Sequence, residues 1–204
     1  DGSRFTEKEG HETMFYTEAT AGRDPRMAQT VLCPGYVAKG ESAATPNDMT
    51  AMKGYEPIKF VSTAAHSGAS KGTSDWPLFR TAEVYLNYAE AKAELGTLTQ
   101  DALTVSIDKI RERAGMGGLD MEAANADPDP FLLACYPNVT KSANTGVILE
   151  IRRERTVEMV MDGQRMWDMF RWKEGAQMVN ETAPYHGTYF PGPGLYALDG
   201  DGQH

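Results

Sequence analysis

From residue 75 onward, apolar residues recur at three- and four-residue spacing, the period of a helix with one buried face. Phe79, Ala82, Leu86, Ala89 and Ala93 share such a face. Asp75 suits the N-cap, Pro77 falls in the first turn, and Gly96 can supply the left-handed residue that ends a helix, so a helix is predicted over 75–96. Leu103, Ile107 and Ile110 predict a second over about 99–115, with Arg111 and Arg113 at its carboxyl end and Gly115 as its stop. A short helix is expected over about 130–135. A long one over about 145–161 breaks at Asp162-Gly163, and a last one over about 164–173 ends at Gly175.

Residues 1–74 lack this period. Gly, Pro, Ser, Thr and Asn recur there, and the only strand-like runs are 28–32 and 58–61. This part reads as loops laid over a helical body, where binding surfaces form. The expected fold is mainly α, with helical hairpins, long loops and a few short strands. Its regions are a loop-rich ligand-face segment (1–74), a helical body (75–175) and a loop tail (176–204). The first two helices make a hairpin in which Ala89, Ala93 and Ala102 permit close approach, a pattern near one tetratricopeptide repeat. A lone hairpin cannot bury its faces, so more helices are needed. The start at Asp1-Gly2-Ser3 and the end within Asp199-Gly200-Asp201-Gly202 give the expectation that this is a piece of a longer protein.

Charge narrows the function classes. The 204 residues hold 20 basic and 29 acidic side chains, a net charge of -9, which argues against nucleic-acid binding. Mean hydropathy is -0.48, and no apolar run approaches the roughly 20 residues of a membrane helix. Cys33 and Cys135 have no CxxC or His partner, so two buried thiols are expected rather than a metal site, with a disulfide open if the protein is exported.

The densest chemistry is in VILEIRRERTVEMVMDGQRMWDMFRWKEG, residues 147–175. Glu154 and Glu158 could act as a catalytic acid–base pair. Yet Arg152, Arg153, Arg155, Arg165 and Arg171 surround them, and guanidinium groups depress carboxylate pKa values. The expectation is therefore a structural ion-pair network of Arg152, Arg153, Glu154, Glu158, Arg165, Asp168 and Arg171, with pairs such as Glu154–Arg165 or Arg155–Glu158. Trp167, Phe170 and Trp172 are expected in the core, and Trp76 as a staple beside a helix cap. Loop aromatics are candidate sugar-stacking platforms, although for any single one packing against the body is the stronger expectation: Tyr16, Tyr36, Tyr55 and Tyr189, together with Trp76, are the candidate ligand contacts. Asp199 and Asp201 lack the acid at 197 that a calcium loop needs, and Asp120, Asp127 and Asp129 read as turn and cap residues. His11, His66, His186 and His204 show no ligand spacing, and no nucleophile elbow or phosphate-cradling loop occurs.

Six stretches in order resemble the C-terminal portion of the RagB/SusD family: DGSRFTEKEGHET (1–13), RDPRMAQTVLCPGY (23–36), GYEPIKF (54–60), DWPLFRTAEVYLNYAEAKAELG (75–96), IDKIRERAGM (107–116) and ILEIRRERTVEMVMDGQRMWDMFRW (148–172). The resemblance implies tetratricopeptide-like hairpins with a ligand face of loops, no enzyme activity and no cofactor. It implies a Bacteroidetes outer-membrane lipoprotein, outward-facing, working in polysaccharide utilisation with a SusC-like TonB-dependent transporter. There it would bind oligosaccharide or polysaccharide, or sometimes peptide, for uptake. The lipid anchor is not in this chain. Asp24-Pro25-Arg26, Arg80, Arg153 and Arg165 match framework positions and take a structural role. The alternative function is a tetratricopeptide scaffold for a protein partner.

Overall fold

A computed structural model describes residues 4–47, 55–66, 70–73, 75, 77–178, 187–194, 196 and 198. The chain divides into two compact units, one of residues 1–76 with 185–204 and one of residues 77–184.

The first unit is built from turns. Helix α1 covers Tyr16–Thr20 and α2 covers Met27–Thr30, with short 3-10 turns at Phe5–Glu7, His11–Thr13 and Ala64–His66. The two strand-like runs do not form strands. Residues 27–30 turn helical instead, because Thr30 Oγ1 donates to Arg26 O at 2.8 Å and holds the turn closed. Phe60 takes a φ of 67°, which extended backbone excludes. What remains among the described residues is one antiparallel bridge, Val31 with Pro57, flanked by Leu32 N to Glu56 O (2.8 Å) and Ile58 N to Thr30 O (2.9 Å). Tyr16, Leu32, Cys33 and Ile58 are buried.

The second unit is helical: α3 (Thr81–Glu94), α4 (Gln100–Thr104), α5 (Ile107–Arg113), α6 (Met121–Ala126), α7 (Pro130–Cys135), α8 (Thr145–Glu158) and α9 (Arg165–Arg171). Leu86, Ala89 and Ala93 of α3 pack with Leu103, Ile107 and Ile110 of α4 and α5, and with Val147, Ile148 and Ile151 of α8. The most extensive packing of α3 is along α8.

Several predicted bounds shift, each for a local reason. Helix α3 starts at Thr81 and not near Asp75. Arg80 is extended (φ -125°, ψ 146°) because its guanidinium reaches Glu158 and Asp162. Phe79, expected on the buried face, is 84% exposed. The second predicted helix is two, since Ser106 Oγ donates to Ala102 O at 2.5 Å and breaks the ladder. Thr99 caps α4 through Ala102 N, and Gly96 and Gly115 take the left-handed conformation at their helix ends. Helix α8 ends at Glu158, before left-handed Met161 and Gly163, and after α9 it is Lys173, not Gly175, that turns left-handed.

Helix α6 was not anticipated, and it shapes α8. A Cβ built on Gly146 would lie 1.8 Å from the Ala124 carbonyl oxygen, so only glycine lets the two backbones meet there. Asn125 Oδ1 then accepts from Val147 N at 2.8 Å, satisfying one of the orphan donors of α8.

Candidate ligand-binding surface and charged network

The candidate ligand residues in the first unit have different fates. Tyr16 is 1% exposed, and its hydroxyl donates to Leu32 O at 2.6 Å. That corrects its assignment as a stacking platform: burial leaves no ring face for a ligand and raises its phenol pKa. Its ring instead supports Tyr55, edge-on at 5.6 Å between centroids. Tyr55 is 36% exposed. Tyr36 is half-buried, its carbonyl accepting Thr45 N at 2.7 Å. Tyr189 is half-buried, edge-on to Phe15 at 6.0 Å. Trp76, and with it Tyr185, His186, Asp199, Asp201 and His204, lies outside the described residues. The unit brings Tyr16 and Tyr55 together and offers ring surface at Tyr36, Tyr55 and Tyr189.

Beside them lies a group that sequence reasoning missed. The Arg23 guanidinium carbon sits 3.9 Å over the centre of the Phe5 ring. Only a Phe and an Arg some eighteen positions apart signalled it, which no periodicity rule detects. The following motif is structural as expected: Asp24 accepts Arg26 N at 2.9 Å, Nε at 3.0 Å and Nη2 at 2.6 Å.

In the second unit the carboxylates Glu154, Glu158 and Asp168 of α8 and α9 are buried and find guanidinium partners. Glu158 Oε1 accepts Arg80 Nη1 at 2.8 Å, and its Oε2 accepts Arg113 Nη2 at 2.7 Å. Arg80 also donates to Asp162 and, at 2.8 Å, to Glu158 O, so it closes the carboxyl end of α8. Glu154 lies 3.3 Å from Arg111. The two anticipated pairs do not form. Arg165 donates to Thr156 Oγ1 and Tyr136 Oη instead, and Arg155 holds Asp168 and Asn87. Arg155 and Glu158, three apart on one helix, could pair only if that face were free, and here neighbouring helices compete for the same groups.

Glu90, on the buried face of α3, takes Arg171 on both oxygens and Trp172 Nε1 at 2.6 Å. Burial pushes its carboxyl up, but the Arg171 and Trp172 hydrogen bonds and the nearby arginine charges outweigh burial and leave it below its ordinary value. Arg171 also bonds Asp168 at 2.9 Å, extending one chain of charges from α3 through α9 to α8. Arg153 pairs with Asp129 and with Glu150. Arg152 is stacked over Trp172 (4.7 Å) and Tyr136 (5.4 Å), with Glu94 3.5 Å away. Asp120 and Asp129 cap α6 and α7 through backbone N–H groups.

The aromatics of α9 divide. Trp172 is buried at 5%, but Trp167 and Phe170, expected in the core, are 67% and 57% exposed. Residues 168, 169 and 172 face inward, and 167 and 170 are carried to the outer side, where their rings meet edge-on at 6.2 Å. The outer side of α3 is apolar too, with Val84, Tyr88 and Leu95 exposed. Among the described residues no helix is long and apolar enough to cross a membrane.

The family model for the SusD family matches residues 1–191. No curated protein matches the chain. No solved structure matches it.

Proposed function

The chain belongs to the SusD family, a non-catalytic family of glycan binding for nutrient uptake, and on that premise we propose a specific role. The protein binds glycans, or other nutrient oligomers, at the outer face of the outer membrane. It delivers them to a SusC-like TonB-dependent transporter, its parent chain being held by a lipid anchor.

The observation that carries this reading is the family match itself, which spans both units. The ring surface of Tyr36, Tyr55 and Tyr189 supports a sugar-stacking face, with Tyr16 as the buried support of Tyr55. The charged network supports a role without bond cleavage. A general acid needs a carboxyl kept protonated near neutral pH and open to substrate, whereas Glu154 and Glu158 are each 4% exposed and tied to arginines. Docking to the transporter falls to the apolar outer faces of α3 and α9, since a helix apolar on two sides is built to be covered on both.

The test is calorimetry and affinity electrophoresis of the intact protein against a panel of polysaccharides and oligopeptides. Binding without release of reducing sugar is the expected result. Silence across the whole panel overturns the reading. The exposed Val84, Tyr88, Trp167 and Phe170 also favour the second reading, a scaffold for a protein partner. That reading requires silence on glycans together with a partner whose binding fails in Tyr88→Glu.

A further inference from the structure

The loop-rich unit carries a cation, Arg23, laid on an aromatic ring. Asp24, the acid next to Arg23, is engaged by the fork and backbone of Arg26. Among the described residues Arg23 makes no ion pair; its contact is the Phe5 face at 3.9 Å. His11 meets the same ring edge-on at 5.9 Å, so Phe5 is held from two sides. A guanidinium laid on a ring keeps its N–H donors around the rim of a fixed plane, the arrangement that receives an oxyanion in two-point fashion. Arg23 is half-buried, and this desolvation lowers its pKa, so an anionic partner would find the charge less screened than on an open surface. Tyr55 is near enough for the Arg23 charge to oppose the upward push of burial on its phenol. Its partly exposed ring is braced by buried Tyr16.

We infer that Arg23, Phe5 and Tyr55 form a subsite for an acidic sugar, one bearing a carboxylate or a sulfate. Arg23 takes the oxyanion in its fork, Phe5 fixes the plane of that fork, and Tyr55 offers a ring face or hydroxyl to the pyranose. This rests on the glycan-binding reading and narrows its substrate class. A sugar suits the place better than an acidic peptide, because an extended peptide gains affinity by pairing with a strand edge. The unit shows among its described residues one isolated bridge. The net charge of -9 opposes long-range attraction of a polyanion. Selectivity must therefore come from the short-range fork, and a lysine, which keeps the charge and loses the fork, cannot replace Arg23.

The experiment is calorimetry of the intact protein with polygalacturonate against its fully methyl-esterified form, and with dextran sulfate against dextran. Poly-glutamate serves as the peptide polyanion. At least one charged glycan should bind about 10-fold or more tightly than its neutral counterpart. Arg23→Gln and Arg23→Lys should both abolish that preference, with Tyr55→Ala weakening the same ligand. Which polyanion depends on Arg23 separates carboxylate from sulfate. Equal affinity for acid and ester and for dextran sulfate and dextran overturns the subsite, as does charged-glycan binding indifferent to Arg23, or preference for poly-glutamate. If neutral glycans bind and acidic ones gain nothing, the subsite falls and the glycan reading stands. If no carbohydrate binds the folded protein, both fall.

Discussion

Arg155 and Asp168 form an ion pair sealed inside the helical unit: Arg155 Nε lies 2.7 Å and 2.8 Å from the two carboxylate oxygens, and each side chain is at most 4% exposed. Two charges so placed have already lost their hydration, and the gain from pairing is what offsets it. Removing one partner therefore costs more than the pair contributes. Asp168→Ala should lower unfolding free energy by about 3–5 kcal/mol, measured by urea denaturation, with Asp168→Asn less damaging. A loss below about 1 kcal/mol, the level of surface pairs, would mean that water reaches Arg155.

Gly146 tests the meeting of α6 and α8. The nearest atoms to an added methyl are backbone, Ala124 O and C and Asn125 Cα, which cannot swing aside. Gly146→Ala should therefore cost at least the roughly 1–3 kcal/mol typical of overpacking. Gly117→Ala, with nothing within 4 Å of the new carbon, should stay within about 0.5 kcal/mol. Equal melting temperatures for the two variants would contradict the close contact.

Glu90 makes the helical unit sensitive to acid. Its carboxyl titrates below the ordinary 4.5 in the folded protein. The unfolded chain thus takes up the proton first as pH falls, and the stabilisation present above that value disappears as the folded group is protonated. Stability should drop below about pH 4.5, and Glu90→Gln should be less stable at neutral pH with a shallower acid slope. Parallel pH–stability curves for the two proteins would exclude this role.

The two tryptophans of α9 should behave in opposite ways. Trp172 is buried, donates to Glu90 and lies under Arg152, so Trp172→Ala should cost about 3–5 kcal/mol. Trp167 is mostly exposed, and Trp167→Ala should stay within about 0.5 kcal/mol. Thermal melts of the two variants decide it.

The sequence alone determined where most helices lie. Period, caps and stops are local: Thr99 and Asp129 cap through their own neighbours, and Gly96 and Gly115 end helices by their own backbone freedom. The charged character of residues 147–175 was equally plain, as was the need to pair those charges. Which partners they take was not legible. Arg80 reaches Glu158 across 78 positions and Arg171 reaches Glu90 across 81, distances closed only when α3, α8 and α9 pack. The same packing decided that Trp172 turns inward and Trp167 outward, because a seven-residue helix rich in both aromatic and charged groups has no face that composition alone marks as buried. Arg23 over Phe5 belongs to this second kind, since loops carry no repeat from which a contact could be read, and only their folded path brings the cation to the ring.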